Sequence, residues 1–70
     1  MDRTPVDSSA LRSVGYDAAQ RVLELEFVRG GRYAYLAVPR RVHRELMAAE
    51  SHGRYFLREI RDRYEVRRLG

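Results

Sequence analysis

The sequence predicts an α+β fold: a three-stranded antiparallel β-meander packed on one face by a two-helix hairpin, in the order βββαα. Three observations predict it. Leu23, Leu25 and Phe27 alternate with Glu24 and Glu26, the two-residue period of a half-buried strand. Gly30-Gly31 then separates that segment from a second strand-like run, Tyr33 to Val38. Beyond Pro39 the apolar spacing becomes helical, with Val42, Leu46 and Ala49 at i, i+4 and i+7.

Taken in order, residues 1–7 are polar, contain Pro5 and read as a flexible tail ahead of a single domain over residues 8–68. Leu11 to Tyr16 forms the first strand and turns through Asp17-Ala18-Ala19-Gln20 into the strand Val22 to Phe27. Gly-Gly suits a two-residue hairpin loop because both positions accept positive φ. That loop sets Val28 against Tyr33, Glu26 against Tyr35 and Leu25 against Leu36. Directly opposed residues share a face. Leu23, Leu25, Phe27, Ala34, Leu36 and Val38, joined by Val14 and Tyr16, then face the core. Glu24, Glu26, Val28, Tyr33, Tyr35 and Ala37, with Leu11, fall on the outer face. Pro39 closes the sheet and suits the first position of a helix. Ser51 caps a second helix, in which Phe56, Leu57, Ile60 and Tyr64 share one face and Arg54, Arg58 and Arg61 form another stripe. Glu65 to Leu69 reads as a short additional strand or a loose end.

With 70 residues and no cysteine, the chain has no disulfide or thiolate-zinc staple and no room for a deep catalytic cleft. No apolar run approaches the roughly 20 residues of a membrane span, and the start has no signal-peptide character. A cytoplasmic protein without membrane contact follows as the expectation. All 14 basic residues are arginine. Residues 1–38 hold five arginines and five acids, whereas residues 39–70 hold nine and five, so the whole excess of +4 lies in the second half. Arginine favours planar recognition of phosphate, and Arg40, Arg41, Arg44, Arg54, Arg58 and Arg61 could track a nucleic-acid backbone. A solvated helix surface is the plainer reading of the same residues.

Tyr33-Ala34-Tyr35 sets two rings on one strand face, an arrangement that RNA-binding sheets use to stack bases. The register above places them beside two glutamates, which favours a protein contact patch instead. His43 and His52 lack metal-ligand spacing, and the serines lack an accompanying histidine and acid in any recognisable arrangement. Neither a cofactor, nor a small-molecule substrate, nor catalysis is expected.

The run Ser8-Ser9, Val14-Gly15-Tyr16-Asp17, Leu23 to Phe27, Gly30, Tyr33-Ala34-Tyr35, Val38-Pro39, Ala49, Ser51, Gly53, Tyr55-Phe56 and Ile60-Arg61 resembles the KTSC domain. That family is named for the C-terminal extension of some lysyl-tRNA synthetases and also occurs as free-standing small bacterial proteins. Its hallmark Tyr-x-Tyr is matched by Tyr33 and Tyr35. The resemblance covers about residues 8–68 and implies RNA binding without a catalytic residue. The expectation is a non-enzymatic RNA-binding module that uses Tyr33, Tyr35 and the helix arginines. The alternative is a protein-interaction or homodimerisation module that uses the outer sheet face.

Overall fold

Alternation and turn chemistry build one sheet. The computed structural model describes residues 3–70. Its strands are β1 (Arg3–Pro5), β2 (Leu11–Asp17), β3 (Val22–Phe27), β4 (Arg32–Tyr35) and β5 (Val66–Arg68), with helices α1 (Arg40–Ala48) and α2 (His52–Glu59) between β4 and β5. The sheet runs β1-β2-β3-β4-β5, every neighbour antiparallel. The α+β class and the helical hairpin agree with the sequence reading, but five strands replace three. The expected tail is the first correction: Arg3–Pro5 pairs with β2, and Arg3 forms an ion pair with Glu24. Residues 1 and 2 of that tail lie outside the described residues. The additional strand near the C-terminus is β5, which covers the free edge of β4.

The second correction is the register of the central hairpin. Leu23 opposes Tyr35, Glu24 opposes Ala34 and Leu25 opposes Tyr33. The loop is Val28-Arg29-Gly30, not Gly30-Gly31. The Gly30 amide donates to the Phe27 carbonyl (2.9 Å) and the Phe27 amide to the Gly31 carbonyl (3.0 Å). Gly30 itself sits at φ 111°. This is the three-residue hairpin, a tight turn followed by a glycine at positive φ. Partner numbers now sum to 58 instead of 61, an odd shift, so every β4 side chain changes face. Tyr33 and Tyr35 join Leu23, Leu25 and Phe27 on the helix side, and Ala34 moves to the outer face. β4 stops at Tyr35, because Ala37 turns at φ 57° before Pro39.

The core gathers Leu11, Val14, Leu23, Leu25, Tyr35 and Val38 beneath Val42 and Leu46 of α1, Tyr55 and Phe56 of α2, and Ile60. Leu11, expected outside, is fully buried because an irregularity between Leu11 and Ser13 resets the alternation. Pro39 is the cap of α1 rather than its first residue, whereas Ser51 caps α2 as expected, its hydroxyl accepting from the Arg54 amide at 3.2 Å. α2 ends at Glu59; within it Tyr55 and Phe56 form the buried side, and Leu57, expected on that face, turns away from it and is 53% exposed. The outer sheet face carries Arg3, Glu24, Glu26, Arg32 and Arg67 over the small buried residues Ser13, Gly15 and Ala34. The aromatic patch expected there does not exist.

Candidate nucleic-acid interface

The hairpin register brings the two tyrosines to a groove. It opens where the β3–β4 loop, the end of α2 and the turn before β2 meet, with a volume of about 640 Å³. Phe27, Tyr33 and Tyr35 come from the sheet, Phe56 and Leu57 from α2, and Arg29 and Arg61 from the flanking loops; among the described residues no carboxylate lines it. Four rings interlock edge to face: Tyr33 on Phe27 (5.6 Å, 73°), Phe27 on Phe56 (5.2 Å, 70°) and Phe56 on Tyr35 (5.6 Å, 77°). Such pairs are rigid and add attraction beyond their buried area. The turn at Ser9 and Ala10 is tied by the Ser8 hydroxyl, which accepts from the Ala10 and Leu11 amides.

Within this frame the tyrosines differ. Tyr35 is buried to 5% exposure and forms the floor, so its ring has no open face for a base. Tyr33 is half-buried on the wall, with the Arg68 guanidinium 5.8 Å from its ring centroid. Burial raises the pKa of the Tyr35 phenol, the neighbouring Tyr33 adds to the rise, and the positive charge of Arg61 opposes it. The Tyr35 phenol therefore carries no charge near neutrality, and Arg61 lines the same groove. Arg61 also meets Asp62 at 3.6 Å, an exposed pair that contributes little. Arg29 has no ion-pair partner among the described residues.

The remaining arginines named from the sequence lie elsewhere. The expected stripe of Arg54, Arg58 and Arg61 is split, because Arg61 lies beyond the end of α2. Arg54 and Arg58 border a recess of about 470 Å³ between the helices, together with Glu45, Glu50, Ser51 and Tyr55. Arg58 meets Glu59 at 3.2 Å and lies 5.8 Å from the centroid of the Tyr55 ring. Arg63, in the turn beyond α2, also reaches Glu59, at 3.8 Å. Arg41 pairs with Glu45 at 3.2 Å. The Tyr55 hydroxyl donates to Glu45 at 2.8 Å. Desolvation, then the Glu45 hydrogen bond, pushes the Tyr55 pKa up to about 12. The same hydrogen bond, followed by that of Arg41, holds Glu45 below its usual range. Arg40 and Arg44 are exposed on α1. Of the eight residues named from sequence, the groove thus unites Tyr33, Tyr35 and Arg61. Sequence reasoning missed Arg29, Phe56 and Phe27 as site residues. A three-residue reading of Val28-Arg29-Gly30 would have placed Arg29 beside the tyrosines.

The KTSC domain family model matches residues 7–64. The chain belongs to the KTSC domain family. A KTSC domain protein from Yersinia pestis, known from a crystal structure, superposes with a TM-score of 0.96 at 43% identity, covering 99% of this chain and 97% of that one. The chain is also 50% identical over 56 residues to an uncharacterized protein of Stutzerimonas stutzeri, covering 80% of this chain and 79% of the relative. It is 43% identical over 62 residues to a protein of Tsukamurella paurometabola, covering 89% and 92%. The KTSC match spans every element that lines the groove, from the turn at Ser9 to Arg61.

Proposed function

We propose that this KTSC domain is a non-enzymatic binding module for single-stranded RNA and that the aromatic groove is its site. One observation carries the reading: the groove combines aromatic walls with Arg29 and Arg61 and, among the described residues, has no carboxylate in its lining. Unpaired bases bind proteins by contact with aromatic side chains, while arginines hold the adjoining phosphates. The glutamates that would repel phosphate beside Tyr33 and Tyr35 project from the opposite sheet face. Tyr33 provides the accessible ring, Tyr35 supports it from the floor, and Arg29 and Arg61 take phosphates. Arg40, Arg44 and Arg54 add long-range attraction from the net charge of +4.

Fluorescence anisotropy with a mixed-sequence single-stranded RNA tests this reading. Each phosphate contact on a single strand contributes about −0.7 to the log–log salt slope. Arg29→Gln with Arg61→Gln should therefore flatten the slope by about 1.4. Tyr33→Ala should weaken binding by about 1–3 kcal/mol and leave the slope unchanged. Affinity weaker than about 100 µM at low salt, below ordinary non-specific binding, would overturn the reading.

A further inference from the structure

Tyr35 has a feature that its packing role does not need. Its ring is held by Phe56 and by Leu23 on the neighbouring strand, and it is 95% buried, yet its hydroxyl has no hydrogen-bond partner among the described residues. The other core-side phenols that reach protein groups are paired: Tyr16 donates to the Val38 carbonyl at 2.6 Å and Tyr55 to Glu45 at 2.8 Å. No side-chain oxygen among the described residues is both sealed from solvent and unpaired, so the Tyr35 hydroxyl opens into the groove that its ring lines. A phenylalanine would fill the same core volume. The hydroxyl therefore meets solvent at the groove rather than a protein group, and a ligand group held in the groove can take the place of that water.

Chemistry narrows that group. A neutral phenol both donates and accepts one hydrogen bond or more. Arg61 lines the same groove and, on the RNA reading, takes a phosphate there. In RNA the group attached next to the phosphate-bearing carbon is the ribose 2′-hydroxyl, itself a donor and an acceptor, and it is the atom that distinguishes RNA from DNA. A base is instead directed to the apolar side of the groove, at Phe27, Tyr33 and Leu57. Resting on the RNA reading above, we infer that the Tyr35 hydroxyl pairs with a ribose 2′-hydroxyl and makes the groove select ribose over deoxyribose.

The experiment uses short single strands of one sequence, as RNA and as DNA, titrated against the wild-type chain and Tyr35→Phe. A net hydrogen bond corresponds to roughly five- to tenfold in affinity. The wild type should prefer RNA by that factor, and Tyr35→Phe should bring RNA down to the DNA affinity while leaving DNA binding and the salt slope unchanged. A single deoxyribose walked along the RNA against the wild-type chain should reproduce the loss at one position, which tests the inference without any variant. Equal wild-type affinities for RNA and DNA, or an equal loss on both strands in a Tyr35→Phe chain with an unchanged melting temperature, would overturn it and leave the RNA groove standing. Failure of the wild type to bind either strand would overturn the RNA reading and this inference together.

Discussion

Replacing Tyr35 by alanine should cost most of the fold's stability, whereas replacing it by phenylalanine should cost almost none. The ring is 5% exposed, opposes Leu23 across the hairpin and meets Phe56 edge-on at 5.6 Å. Truncating a buried aromatic ring to alanine costs about 3–5 kcal/mol, including the cavity left behind. A domain of this size has roughly 4–10 kcal/mol in total. In a chain this short each kcal/mol corresponds to about 4–8 °C, so Tyr35→Ala should melt at least about 12 °C below the wild type or fail to fold. Tyr35→Phe removes only a hydroxyl that has no partner among the described residues, so its stability should lie within about 0.5 kcal/mol of wild type. Far-UV circular dichroism melts and urea titrations of the two variants provide the comparison. A Tyr35→Ala chain that melts within a few degrees of wild type would show that the ring is not in the core and that the hairpin register is different.

Three further outcomes follow from local geometry. His43 stacks on Tyr16 at 4.7 Å and 9° between planes, and burial lowers its pKa below the ordinary 6.5. The unfolded chain therefore binds the proton more readily. Stability is full above about pH 6.5 and declines as pH falls through that value toward the depressed folded pKa; His43→Phe should flatten this limb in denaturant titrations. A Cβ on Gly53 would lie 2.9 Å from the Ala10 Cβ, so Gly53→Ala should destabilise by about 1–3 kcal/mol despite alanine's better helix propensity, and amide shifts should move at Ser9 and Ala10. Ser51→Ala removes the cap of α2 and should cost about 1 kcal/mol by the same melts, while Ser51→Asp should restore it.

The elements were legible where one local pattern had a single solution. In β3 the glutamates alternate with Leu23, Leu25 and Phe27, so its faces are fixed whichever way its neighbour pairs. Val42 and Leu46 fix the buried side of α1, and Ser51 fixes the start of α2. β4 had no such constraint, since Tyr33 and Tyr35 on one face and Ala34, Leu36 and Val38 on the other are both apolar enough to bury. Its orientation depended on the turn, and there the adjacent glycines favoured a two-residue loop over the three-residue one the chain adopts. β1 carries no alternation: Arg-Thr-Pro is held by backbone pairing and the Arg3–Glu24 ion pair, which depend on a strand distant in sequence. The irregularity after Leu11 likewise has no local signature. The same turn decided the site. A two-residue loop would set the tyrosines beside Glu24 and Glu26 and leave Arg29 outside the turn, on the end of β3. With the observed register, Tyr33, Tyr35 and Arg61 meet Arg29 around one groove.

The most direct test of an RNA-binding groove is a titration of the isotope-labelled chain with single-stranded RNA, followed by amide and side-chain chemical shifts. The account predicts saturable shifts at Arg29, Gly30, Tyr33 and Leu57 and at the Arg61 guanidinium, with the outer-face residues Arg3, Glu24 and Arg67 unmoved. Shifts concentrated on that outer face or in the interhelical recess at Arg54 and Arg58, or no shifts at all, would contradict it.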